Sequence, residues 1–221
     1  MQRLLHAAGP VMLVLWSGLL LSALSALLLG RLPLAFVSAA TLLLAVAPLV
    51  LAERLSLRLP LPFLLATTLF VVASLMLGEV FDFYNRLWWW DLALHGSAAV
   101  GFGLIGFLFV FMLFEGDRFA APASALAFIA FCVAMMMGAL WEVFEFSMDK
   151  LFGLNMQKSG LDDTMGDLIV NAIGGAAASL AGYFYARYEN AGLLGRGLEQ
   201  FIALNKRYFR KAKSRLTRKD G

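Results

Sequence analysis

The chain has 221 residues, 61% of them hydrophobic and only 15% charged, and its mean hydropathy is +0.79. A water-soluble domain of this size could not cover so much apolar surface, which excludes the soluble fold classes and indicates a membrane protein. The formal net charge is +3, and the single cysteine, Cys132, lies inside an apolar run, so an intrachain disulfide and cysteine-based metal motifs are excluded.

Hydrocarbon obliges every backbone polar group to be satisfied within its own helix or within a closed barrel, and unalternating Leu, Ala, Val and Phe runs read as helices. In chain order the apolar runs predict six spans: Val11 to Leu29, Leu34 to Ala52, Leu61 to Gly78, Leu92 to Phe114, Ala121 to Phe144 and Met165 to Ala186. The first follows Arg3 and has small residues at Ala23 and Ser25, as a signal peptide would, but its length favours an uncleaved span. Pro33, Pro60, Pro62 and Pro122 fall at span starts, where a missing N–H costs nothing, whereas Pro48 is expected to kink the second span. The fold class is therefore all-α, a polytopic membrane bundle over residues 1–188 with a basic amphipathic tail over 189–221.

Charge then orients the bundle. With the N-terminus inside, Arg3, Arg54, Arg58, Arg118 and the basic residues from Arg187 to Lys219 fall on the cytoplasmic side, leaving only Arg31, Arg86, Lys150 and Lys158 outside. This is a positive-inside pattern; it predicts an inner-membrane protein with both termini in the cytoplasm. In the tail Leu194, Leu198, Phe201, Ile202, Tyr208 and Phe209 recur at helical spacing opposite Lys206, Arg207, Arg210 and Lys211. An in-plane helix on the anionic cytoplasmic leaflet explains that pattern, with a disordered basic tail as the plainer alternative. Nucleic acid is not expected as a partner, because lipid already lies beside the basic run.

The acids concentrate on the opposite face. Glu79 and Asp82 end span three, Asp91 and His95 open span four, Glu142 and Glu145 end span five, and Asp162, Asp163 and Asp167 open span six. Asp91 and His95 are i, i+4, Glu142 and Glu145 are i, i+3, and Asp163, Asp167 and Asn171 follow at i, i+4, i+8, so each set shares a helix face. Carboxylates buried together must protonate, pair with cations or coordinate a metal, and three helices offering carboxylates and one imidazole are how bundles assemble divalent-metal sites. The plainer reading is solvation in the headgroup zone, with Asp162 and Asp163 serving a helix start and Glu79, Asp82 and Asp149 simply solvated. His95 resists that reading, since it lies a full turn inside its span and needs a hydrogen-bond or metal partner.

Other patterns carry less. Gly101, Gly103 and Gly106 spell G-x-G-x-x-G, but inside a transmembrane helix with no preceding strand, which predicts close helix packing rather than dinucleotide binding. Gly174, Gly175 and Ala176 to Ala178 give span six the same character; Trp88 to Trp90 mark an interfacial belt, and Met135 to Met137 read as packing.

The stretch from Asp91 (D-L-A-L-H-G-S-A-A-V-G), W-E-V-F-E-F from Trp141 and D-D-T-M-G-D-L-I-V-N-A-I-G-G from Asp162 resembles, in order and spacing, the YjdF family of bacterial inner-membrane proteins. The resemblance runs from about Leu77 to Gly182 and carries over to Asp91, His95, Glu142, Glu145, Asp163, Thr164, Asp167 and, more loosely, Asn171. Asp167, Asn171 and Gly174 also look like the D-x-x-x-N-x-x-G pattern of VanZ-like proteins, although Leu161-Asp162-Asp163-Thr164 stands where those commonly carry an Arg–Ser element. What the resemblance implies is a helical membrane fold, without an activity.

Two functions remain open at this point. In one, a divalent metal held by His95, Asp91, Glu142 and Asp167 polarises a phosphate or ester oxygen of a lipid or envelope headgroup while Glu145 or Asp163 acts as general base. Zinc, manganese, iron, magnesium and calcium are not distinguished by these ligands. In the other, the chain is a non-catalytic subunit of a larger membrane complex, a homo-oligomer, or a small-molecule or ion transporter, although the acids do not continue across spans four to six as a through-path would require.

Overall fold

The computed structural model of the chain describes residues 9–114, 117, 121–188 and 192–209. Arg3, Arg118, Arg210, Lys211 and the rest of the terminal basic run, all used in the charge argument above, lie outside the described residues. Among the described residues six helices are long and apolar enough to cross a membrane, of 19, 23, 20, 24, 30 and 28 residues. They match the six predicted spans, and the chain is an all-helical membrane protein.

The chain forms two compact units, Met1–Trp90 and Asp91–Gly221. In the first, α1 (Pro10–Leu28) packs on α2 (Leu32–Arg54), and α3 (Leu61–Val71) continues through Val72–Val80 as a π-helix. Met12, Leu49 and Leu64 bring the three helices together in one small core, and the Ser22 and Ser38 hydroxyls share a hydrogen bond of 2.9 Å between α1 and α2. Pro33, Pro60 and Pro62 fall at the starts of α2 and α3 as expected, while α2 continues as one helix through Pro48. A short helix, α4 (Phe83–Arg86), follows Asp82.

The second unit holds α5 (Trp90–Leu113, shared at its first residue with the first unit), α6 (Ala123–Phe152), α7 (Leu161–Tyr188) and α8 (Gly192–Leu204). Small residues let α5, α6 and α7 approach closely. A Cβ added at Gly103 would fall 2.6 Å from that of Ala178, one at Gly106 would fall 2.8 Å from that of Val133, and one at Gly175 would fall 3.0 Å from that of Ala134. At Gly174 it would strike the Gly96 carbonyl oxygen, at Gly138 the Asn171 amide, and at Gly182 the Phe107 ring. The packing reading thus holds for Gly103 and Gly106; Gly101 has open space around it and contributes no close approach. Ser179 adds a hydrogen bond across the interface, its hydroxyl donating to the Ala127 carbonyl at 2.7 Å.

Two helix bounds depart from the apolar runs. α6 runs to Phe152 instead of stopping near Phe144, and α7 begins at Leu161 instead of Met165. Apolar length measures the hydrocarbon, whereas the helix goes on until the backbone turns, at Gly153 with φ +67°. Glu142 and Glu145 therefore lie inside α6 rather than at its end, and Asp162 is an exposed residue of the first turn of α7 rather than its cap. In the tail, Leu198 of α8 and Phe209 beyond it are buried with Phe107, Phe111, Leu126, Ala130 and Ala186, so the tail meets protein at those positions.

Candidate metal centre

Three helices of the second unit bring one imidazole and five carboxylates into a single neighbourhood. Asp91 lies in the first turn of α5 and His95 one turn further in; Glu142 and Glu145 share a face of α6; Asp163 and Asp167 share a face of α7. Burial grades the set. His95, Glu142, Glu145, Asp167 and Asn171 are all buried, with Asp167 only 1% exposed, whereas Asp91 and Asp163 are partly exposed at the mouth.

His95 is the hub. Its Nε2 lies 3.7 Å from Asp91 Oδ1 and 3.8 Å from Asp167 Oδ2, and its Nδ1 lies 3.8 Å from Glu142 Oε1. These separations exceed a hydrogen bond. Two overlapping trios, Asp91–His95–Asp167 and His95–Glu142–Glu145, each offer ligand atoms within 4.8 Å of one another. A tetrahedral ion with bonds of about 2.0–2.2 Å holds its ligand atoms roughly 3.3–3.6 Å apart, so small adjustments suffice to close either trio on one.

Four of the buried polar atoms without a hydrogen-bond partner belong to this cluster: Glu142 Oε1, Glu145 Oε2, Asp167 Oδ2 and Asn171 Nδ2. Orphaned carboxylate oxygens inside a membrane bundle are costly, and a cation is the group that satisfies several at once.

Two residues at the cluster escaped the sequence. The Trp141 indole donates to Glu145 Oε1 at 2.9 Å, an i, i+4 pair within W-E-V-F-E-F whose spacing was available to find it. Gln157, in the connection between α6 and α7, donates from Nε2 to Thr164 Oγ1 at 2.7 Å and to Glu142 Oε2 at 3.5 Å; a lone amide in a loop gives no periodic signal. Carboxylates pin the rest of that connection. Asp149 accepts from the Met156 and Gln157 amides at 2.7 and 2.9 Å, and Asp163 from the Lys158 amide at 3.2 Å. Gly153 and Gly160, at φ +67° and +63°, bracket it.

The structure thus gathers Asp91, His95, Glu142, Glu145 and Asp167, with Asp163 at the rim. Glu79 is exposed and Asp82 is engaged locally by Asn85 and Arg86, both in the other unit.

A family model described as "Predicted membrane protein (DUF2238)" matches residues 11–188. An uncharacterised protein of Thermotoga maritima is 33% identical over 99 residues, which is 45% of this chain and 50% of that protein. The chain thus covers half the length of that relative. No solved structure matches.

Proposed function

Since the chain belongs to the DUF2238 family of predicted membrane proteins, the family that its motifs resemble, we propose a function from its site: divalent-metal-dependent cleavage of a phosphate or carboxylic ester in a lipid or envelope headgroup. The observation that carries this reading is the set of buried, unpartnered oxygens of Glu142, Glu145 and Asp167 around His95. Asp91, His95, Glu142 and Asp167 are the residues available to hold or orient the ion, which would supply a Lewis acid for the ester oxygen.

Glu145 is the better general base of the two candidates. Asp163 is tied to the Lys158 amide, whereas Glu145 is oriented through one oxygen by Trp141 and keeps Oε2 without a hydrogen-bond partner. Glu145 takes a proton from water as the water oxygen bonds to phosphorus or the acyl carbon; the ester bond breaks and the leaving alkoxide takes that proton back. Asp91 and Asp163, partly exposed in the first turns of α5 and α7, open the cluster toward the depth of a headgroup, where the reacting bond of a lipid lies while its chains stay in hydrocarbon.

We place the protein in a bacterial inner membrane with both termini cytoplasmic and the site on the other face, on the distribution of Lys and Arg. The non-catalytic alternative draws less support, because Gly103, Gly106, Gly138, Gly174, Gly175 and Gly182 already meet this chain's own helices rather than leaving a bare small-residue face.

Elemental analysis of purified protein beside a His95→Ala variant tests the reading. Stoichiometric divalent metal in the wild type and its loss in the variant are expected; equal and substoichiometric metal in both would leave the subunit reading in its place.

A further inference from the structure

Resting on the metal reading above, the geometry points to a division of labour around His95: Asp91, His95 Nε2 and Asp167 hold the ion, and Glu142 is a positioning residue that accepts the Nδ1 proton. The two nitrogens of an imidazole direct their lone pair and N–H in the ring plane on diverging lines, so one ion cannot take both. Asp91 and Asp167 stand on the Nε2 side at 3.7 and 3.8 Å, and Glu142 stands on the Nδ1 side at 3.8 Å. The four residues therefore cannot all ligate a single ion that uses this histidine.

Two observations choose the side; orphaned oxygens do not, since Asp167 Oδ2 facing Nε2 and Glu142 Oε1 facing Nδ1 are both buried without a hydrogen-bond partner. Asp91, the other residue on that side, keeps 21% of its side chain exposed, which leaves an open approach for a reacting group. Glu142 is held from behind, with Gln157 Nε2 at 3.5 Å from Oε2 while Oε1 turns to Nδ1. That arrangement places Glu142 between Gln157 and His95, within a small closure of the 3.8 Å gap to Nδ1. A carboxylate on the far nitrogen of a ligating histidine fixes its tautomer and raises its basicity. Glu145, which shares a trio with His95 and Glu142 and not with Asp91 and Asp167, then stays outside the coordination sphere, as a base must.

The test uses the full chain in detergent titrated with Co2+, reading affinity and the visible ligand-field spectrum. Glu142→Gln keeps a carbonyl acceptor for Nδ1–H, and its spectrum should match the wild type. Glu142→Ala should bind with the same spectrum but roughly 10–100-fold more weakly. Asp167→Asn and Asp91→Asn should each change the spectrum or abolish binding, with melting curves separating loss of the ion from loss of the fold. A changed spectrum in Glu142→Gln beside an unchanged one in both aspartate variants would move the ion to the Nδ1 side and overturn the division alone. No Co2+ uptake by the wild type would overturn the metal reading with it.

Discussion

Gly174→Ala is expected to cost the protein both stability and metal, for one geometric reason. The new Cβ would strike the Gly96 carbonyl oxygen and stand 3.1 Å from Ala99 Cβ, and a backbone oxygen inside a helix cannot swing aside as a side-chain tip can. α5 and α7 must separate, by on the order of 1 Å, and overpacking of this kind costs about 1–3 kcal/mol. At about 2–4 °C per kcal/mol for a chain of this size, the melting temperature should fall by roughly 2–12 °C. Gly96 directly follows His95, so the same displacement widens the 3.8 Å between His95 Nε2 and Asp167 Oδ2. Two bonds of about 2.0–2.2 Å span at most roughly 4.4 Å, so the pair could no longer share an ion. Gly101→Ala is the control on the same helix: nothing lies within 4 Å, and removing a mid-helix glycine should stabilise by up to about 1 kcal/mol. Melting in detergent and metal titration of the two variants decide the matter. Equal melting temperatures and equal metal content would refute the claim that this crossing sets the site.

Gly153→Ala and Gly160→Ala each force an alanine to φ +67° or +63° and should cost about 1–2 kcal/mol apiece, read as earlier melting; no change would show that the α6–α7 connection relaxes freely. Lys158→Cys, in a chain whose exposed Cys132 has been replaced, should react with a membrane-impermeant thiol reagent in intact cells; reaction only with permeant reagents would invert the topology. Truncation after Asn190 should leave the six spans inserted and weaken binding to anionic vesicles. It should also lower the melting temperature, because Leu198 and Phe209 each lose burial worth about 1.5–3 kcal/mol; loss of insertion altogether would refute this.

The helices were legible because hydrocarbon imposes one rule, an unbroken apolar run, and the sequence obeys it six times. The site was legible for a related reason. Asp91 and His95, Glu142 and Glu145, and Asp163 and Asp167 are spaced to share faces, and lipid leaves such faces only the bundle interior to turn toward. Features without a period stayed hidden. Gln157 reaches Glu142 from a loop, the fit of Asn171 against Gly138 depends on two helices at once, and the π-helix at Val72–Val80 continues the same apolar run as α3. The extent of α6 was missed because Ser147, Asp149 and Lys150 end the apolar run without ending the helix.

Chemistry and packing fall on one stripe of α7, and that explains why the acids are tolerated where they are. Asp167, Asn171, Gly174, Gly175, Ala178 and Gly182 are all buried along it, passing from ligand-type residues at one end to residues with almost no side chain at the other. Small residues bring the backbones of α5 and α6 close enough to α7 that the carboxylates near its start must converge; larger ones would hold the helices apart and leave each acid alone in hydrocarbon. The glycines that look structural therefore set the distances on which the candidate chemistry depends. Metal affinity should follow the side-chain volume at Gly174 and Gly138 as closely as it follows the identity of the ligands, and a series of Ala, Ser and Val at Gly174 with unchanged affinity would separate the two roles.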